Sequence, residues 1–399
     1  MLPLLLLALL IRAESQAQTF SSHAEVSLIT CSPGSELYSI FGHSAIRVRD
    51  TVTNRDWIFN YGVFDFDTPN FYWKFIRGKL QYRLAIQRMD DFVRSYAAEG
   101  RAIKEERLRL TGREKQRLLR FLRINHLPEN RYYLYDFFYN NCSTKIWDVS
   151  EAQVSDSLVF DRSVYTPRSF RDLLYPYLEK VPWSKLGIDL LLGVPADKTA
   201  SFEQQMYLPD YLSRNMSHTY RLASSGREAL MEKEKVILER DESISGVDKS
   251  WLTPAVVFGL VLLALAVLTF RAGKSTRRRV DAALLLLTSV FGVVLLFMWF
   301  GTNHQQMDWN LNILWANPLG LLFVYFALRK KMKRAGWAAG VLLAFLLVNL
   351  VGWPWLPQQF NLSLLPLILA LVIRTLDNFL PVCCPALHRR TGPTQPPLL

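Results

Sequence analysis

A chain of 399 residues that is 50% hydrophobic and 21% charged is too apolar for one ordinary soluble domain and too charged to be membrane throughout. Its formal net charge of +12 is no nucleic-acid footprint: thirteen basic and three acidic residues lie from Trp251 onward, which leaves 34 basic against 32 acidic before it. The excess flanks apolar runs, where it orients spans, and no nucleic-acid partner is expected.

The first eleven residues form a Leu-rich run too short to span a bilayer, followed by Ser15-Gln16-Ala17, a small-residue stretch that a signal peptidase could cut. A cleaved signal over residues 1–17 is expected. No basic residue precedes Leu2, so an uncleaved anchor is the alternative. Short alternating stretches at residues 25–30, 44–49 and 57–61 predict a strand meander. Between Asp90 and Leu127 the pattern turns helical, with Leu118, Leu119 and Leu122 on one face, and Pro128 closes it. An aromatic run from Tyr132 to Tyr139 follows, and Cys142 and Ser143 open another helix. The reading is one α+β domain over residues 18–222, then a charge-rich helical stalk over residues 223–250.

From Trp251 the composition changes. Five apolar runs, at residues 253–270, 280–300, 314–328, 336–352 and 362–373, are long enough or nearly so to cross hydrocarbon, which takes about twenty residues. Arg271, Lys274, Arg277, Arg278 and Arg279 follow the first, and Arg329, Lys330, Lys331, Lys333 and Arg334 follow the third. The alternate loops, residues 301–312 and 353–361, hold no Lys or Arg. Basic loops stay cytoplasmic, so the soluble half is expected outside and the C-terminus inside, with an all-α membrane domain over residues 251–376 and a cytoplasmic tail over residues 377–399.

Cys31 and Cys142 are the two thiols of the soluble half. Cys142 sits in Asn140-Asn141-Cys142-Ser143-Thr144, at a helix N-terminus where the backbone dipole favours thiolate. It reads as a nucleophile, as a buried structural thiol, or as half of a disulfide with Cys31. Among four histidines in that half, His43 opens an alternating strand, where a base is held rigidly, whereas His23 and His126 read as solvated or capping residues. Asn60 on the next strand is placed to orient an imidazole, giving the order His, Asn, Cys, a permutation of the Cys, His, Asn order of papain-like enzymes. With no metal-ligand cluster, Walker loop or dinucleotide fingerprint, no metal and no cofactor are expected.

Thr30-Cys31-Ser32-Pro33-Gly34, Phe41-Gly42-His43-Ser44-Ala45-Ile46-Arg47-Val48, Phe59-Asn60-Tyr61-Gly62-Val63-Phe64-Asp65-Phe66, Pro128-Glu129-Asn130-Arg131-Tyr132-Tyr133 and Tyr135-Asp136-Phe137-Phe138-Tyr139-Asn140-Asn141-Cys142-Ser143-Thr144 run in a specific order. In that order they resemble the periplasmic domain of the Bacteroides-type lipoprotein N-acyltransferases. The resemblance continues into the membrane half through Gly301-Thr302-Asn303-His304 and Asn310-Leu311-Asn312-Ile313-Leu314-Trp315. It implies a circularly permuted papain-like (NlpC-like) α+β domain ahead of about five transmembrane helices in a bacterial inner membrane, with Cys142 as thiol and His43 as base. The role of Asn60 is inferred from strand order. The implied reaction moves a fatty acyl chain from a membrane phospholipid, via a Cys thioester, to the amino group of a diacylglyceryl-cysteine lipoprotein. Backbone amides at the start of the Cys142 helix are expected to hold the oxyanion. His304, Asn310 and Asn312 are read either as an interfacial loop or as a lipid head-group site. The rival readings are an envelope cysteine peptidase or amidase, and an assembly factor whose Cys142 is bridged to Cys31.

Overall fold

The computed structural model describes residues 20–154, 158–223, 226–245 and 250–385. The expected signal over residues 1–17 and the end of the expected cytoplasmic tail lie outside them. The chain forms two units: the first runs to Tyr177 and resumes over Thr199–Val247, and the second takes Leu178–Lys198 and everything from Asp248.

In the first unit, β1 (Glu25–Cys31), β2 (His43–Asp50) and β3 (Arg55–Val63) fall on the three alternating stretches. They are followed by β4 (Gln81–Arg88), β5 (Ile103–Arg107) and β6 (Tyr132–Leu134). Next, β7 (Leu158–Phe160), β8 (Arg168–Ser169), β9 (Thr199–Ala200), β10 (Thr219–Ala223) and β11 (Gly226–Ala229) make two small sheets, ordered β11-β10-β7 and β8-β9. Finally β12 (Lys235–Leu238) joins the main antiparallel sheet, ordered β12-β5-β1-β2-β3-β4-β6. Successive side chains of a strand face opposite ways. Val26, Leu28, Ile46, Val48 and Phe59 therefore pack against Leu118 and Leu122 of helix Gly112–Asn125 and Ile146 of helix Cys142–Gln153. Their neighbours Ile29, Cys31, Ala45 and Ile58 pack against Met89 and Phe92 of helix Met89–Ala98. Both sheet faces are thus covered, which is why β1 is buried along nearly its whole length.

Two expectations are corrected here. The helical stretch between Asp90 and Leu127 is two helices, Met89–Ala98 and Gly112–Asn125, with β5 between them. The charges of Lys104, Glu105, Glu106 and Arg107 look like a solvated helical face, yet β5 pairs with β1 and buries Ile103 and Glu106. Residues 223–250 are likewise not a helical stalk. They hold β11, β12 and the one-turn helix Glu242–Ser245, and Leu230 and Met231 enter the core while β12 covers the backbone edge of β5.

The second unit is helical. Pro254–Arg271, Lys274–Gly301, Met332–Gly352 and Leu362–Cys383 are long and apolar enough to cross a membrane. The expected third span, residues 314–328, is corrected: only Gly320–Leu328 is α-helical, preceded by the 3₁₀ turn Leu311–Leu314 and a bend through Asn317-Pro318. Proline disfavours helical geometry at the residue before it, and the Asn317 carbonyl accepts from Ser289 Oγ at 2.8 Å and from the Gly320 N–H at 3.1 Å. Gly292 permits this approach, since a Cβ there would lie 1.8 Å from the Ala316 carbonyl oxygen. Residues 178–198, read from sequence as part of the soluble domain, belong to this second unit, and Leu186, Leu190 and Leu191 of helix Pro182–Leu191 join its core. One buried ion pair ties two long helices, Arg374 to Asp281 at 2.6 and 2.9 Å.

Candidate active site

The motif around Cys142 is a helix cap. Asn141 Oδ1 accepts from the backbone N–H groups of Ser143 and Thr144 at 2.9 and 3.0 Å, while Thr144 Oγ1 accepts from the Asn141 N–H at 2.8 Å. The Asn141 amide nitrogen then donates to the carbonyls of Phe137 and Tyr207, both at 2.8 Å. Every polar atom of this buried side chain is used, so the first helical residue, Cys142, is held at a fixed place.

His43 arrives from the sheet. It opens β2, paired with Cys31 on β1, and its Nε2 lies 2.6 Å from Asn60 Oδ1 on β3. The carboxamide oxygen only accepts, so Nε2 carries the hydrogen and Nδ1 is left for the thiol. All three side chains are half-buried. The ladder between β3 and β4 slips between Asn60 and Val63, and Gly62, at φ +87°, sits in that bulge with its Cα side turned to Cys142: a Cβ there would lie 3.6 Å from the Cys142 Cβ.

The electrostatics couple the pair. Burial pushes the Cys142 thiol up, but the His43 charge and hydrogen bond, the Ser44 backbone N–H and the Ser143 hydroxyl outweigh it and bring it down to about 7. Burial by itself lowers the His43 pKa, yet the Cys142 thiolate and hydrogen bonds to Cys142 and Asn60 raise it overall. The arrangement therefore favours a thiolate–imidazolium pair near neutral pH, a nucleophile beside an acid–base group. Cys31 is the opposite case. It is fully buried, and burial pushes its thiol up to about 12.

The structure brings Cys142, His43 and Asn60 together. Cys31 and Cys142 are both free thiols, so the bridged reading has no support in the geometry. The amides of Ser143 and Thr144 are spent on Asn141 Oδ1, which leaves the Cys142 N–H as the amide at the helix start for the expected oxyanion role; the Ser44 N–H is turned toward the sulfur. In the membrane half, Asn310 and Asn312 are about 1% exposed. Asn310 Nδ2 donates to the carbonyls of Leu190 and Leu191 at 2.8 and 3.0 Å, and Asn312 Nδ2 to those of Asp189 and Leu190, both at 3.2 Å. They cap the C-terminal end of helix Pro182–Leu191, a buried role that replaces the head-group reading for these two. His304 is half-buried at the start of the 3₁₀ turn Gln305–Met307. Sequence reasoning missed Ser44, Gly62 and the capping role of Asn141; only the last has a local signal, the spacing of Asn141 and Thr144. Among the described residues no group of three or more His, Cys, Asp or Glu side chains is placed to hold a metal ion.

Past the Gly62 bulge the chain leaves an aromatic surface. Phe64 packs on Phe66, Phe71 and Tyr82, and Tyr82 stacks on Tyr135 at 4.4 Å between ring centroids. Phe66, Tyr72, Trp73 and Phe75 remain at least half exposed, interleaved with Lys74, Arg77 and Lys79.

Residues 12–174 match the family model of the Lnb N-terminal periplasmic domain, and residues 246–383 match that of the Lnb transmembrane domain. No curated protein and no solved structure matches the chain.

Proposed function

Because the chain belongs to the Lnb family, with a periplasmic N-terminal domain followed by a transmembrane domain, we propose that it is a thiol-dependent acyltransferase that N-acylates bacterial lipoproteins through a thioester on Cys142. In the first half-reaction His43 Nδ1 takes the thiol proton, the thiolate attacks a phospholipid ester carbonyl, and the glycerol oxygen leaves as lysophospholipid with the proton from His43. In the second, the α-amino group of diacylglyceryl-cysteine attacks the thioester, His43 accepts its proton, and the thiol is regenerated as the amide forms. Asn60 keeps the imidazole in the tautomer both steps need. In this reading the Ser44 N–H, turned toward the sulfur, and the Cys142 N–H at the helix start serve the developing oxyanion.

One observation carries the reading: a thiol brought down to about 7 by an asparagine-held histidine, in a chain whose second unit has four helices apolar enough for a membrane. The exposed Phe66, Tyr72, Trp73 and Phe75, with basic residues between them, favour a lipid acyl donor over a water-soluble peptide. In this reading the His43, Asn60, Cys142 order is that of a circularly permuted papain-like domain. In this reading the basic loops favour a cytoplasmic C-terminus, with the thiol domain in the periplasm.

The test is intact-mass analysis of the purified full chain incubated with phospholipid, comparing wild type with Cys142→Ala and Cys31→Ala. The expected result is a hydroxylamine-labile gain of one acyl chain that disappears only in Cys142→Ala, and that is discharged onto an added diacylglyceryl-cysteine peptide. Absence of an adduct, together with cleavage of peptide substrates, would replace acyl transfer by the peptidase reading.

A further inference from the structure

The second unit holds a cavity of about 510 Å³ that the acyl-transfer chemistry does not use. It opens between the starts of helices Lys274–Gly301 and Met332–Gly352 and the end of helix Leu365–Cys383, and its charged lining includes Lys274, Arg277, Arg278, Lys333, Asp281 and Asp377. Both acids are already engaged. Asp281 is held by Arg374, and Asp377 is shared between Arg374 at 3.0 Å and Arg277 at 3.3 Å. Two cations against two anions leave Lys274, Arg278 and Lys333 uncompensated, and among the described residues none of these three has an ion-pair partner. The Arg277 Nε is buried and donates to nothing.

The backbone adds to the imbalance. Neither helix start has a side-chain cap, and neither has an acidic residue in its first turn. Each presents its positive dipole end and its free N–H groups beside the exposed Lys274, Arg278 and Lys333, an arrangement that an anion would favour. We propose that this cavity binds a phosphate oxyanion, either the head-group phosphate of an anionic phospholipid or free phosphate. A basic pocket between helices, at the end of the bundle flanked by Lys and Arg, has the chemistry for that ligand. The proposal does not depend on the acyl-transfer reading.

The full chain, purified in detergent, can be titrated with phosphatidylglycerol, phosphatidylcholine and inorganic phosphate and read by native mass spectrometry. Phosphatidylglycerol should be retained in preference to phosphatidylcholine. Arg278→Glu combined with Lys333→Glu should weaken it by roughly tenfold or more, since each basic side chain near an anionic lipid contributes substantially. If millimolar inorganic phosphate displaces the lipid, the source is free phosphate; if it does not, the source is the lipid. Equal retention of phosphatidylcholine would overturn the proposal, as would undiminished phosphatidylglycerol binding by the double variant. Lys274→Ala with Lys333→Ala, which removes charge without reversing it, serves if the first variant does not fold, and unchanged binding there would overturn the proposal equally.

Discussion

His43 and Asn60 meet at 2.6 Å across adjacent strands, Nε2 to Oδ1, on the side of the ring away from the thiol. The bond fixes one tautomer and one ring orientation. Asn60→Ala should leave the sheet intact and slow acyl-enzyme formation by roughly ten- to a hundredfold, part of the 10²- to 10⁴-fold that a positioned acid–base group supplies. Rapid-quench mass spectrometry of the adduct would read this. Acylation at the wild-type rate in a folded Asn60→Ala protein would remove Asn60 from the mechanism.

The Cys142 thiol titrates near 7 because His43 stands beside it. Its alkylation by iodoacetamide, followed peptide by peptide, should rise with pH through a midpoint near 7. In His43→Ala that midpoint should move upward past the ordinary thiol value, since burial remains and the opposing charge is gone. Cys31, at about 12, should stay unlabelled in both proteins. An unchanged midpoint in His43→Ala would show that the imidazole does not govern the thiol.

Glu106 is a stability prediction. Burial pushes its carboxyl from 4.5 up to about 7, against the hydrogen bond that Ser213 Oγ donates at 2.6 Å. A folded pKa above the unfolded one means that stability is lost as pH rises from about 4.5 through 7. Glu106→Gln, neutral throughout, should therefore raise the thermal midpoint at pH 8, by a margin worth about 1–3 kcal/mol, and change little at pH 5. A larger gain at pH 5 than at pH 8 would contradict the sign.

Asn310→Ala would leave the Leu191 carbonyl without that donor and the Leu190 carbonyl to Asn312 alone. The loss should be about 1–3 kcal/mol of stability in the second unit. Thiol alkylation at Cys142 should persist. Full stability in Asn310→Ala would show that these carbonyls find other partners.

The parts of this molecule that could be read from sequence are those set by short-range chemistry. Alternation located β1, β2 and β3, and the polar step at Asn141 and Cys142 marked a helix start. Two adjacent strands then sufficed to bring Asn60 to His43. What failed depends on distant partners. Nothing local distinguishes Lys104 to Arg107 from a helical surface, because β5 exists only through its pairing with β1 and β12. Residues 314–328 are apolar enough for a span; Pro318 is the one local sign against a continuous helix, and the hydroxyl that meets the Asn317 carbonyl belongs to Ser289, 28 residues away in sequence. The carboxamides of Asn310 and Asn312 looked like ligand-binding groups for the same reason: their partners lie more than a hundred residues earlier.

That half-length helix bears on how the protein is made. Nine residues of α-helix rise roughly 14 Å, about half of a hydrocarbon layer. Ser289 and Gly292, the residues that meet the irregular stretch before it, lie midway along helix Lys274–Gly301. Non-helical backbone is stable at such depth only when protein rather than lipid surrounds it. The segment is therefore expected to be retained beside helices Lys274–Gly301 and Met332–Gly352 while the bundle inserts, rather than to leave an insertion machinery as an independent hydrophobic helix.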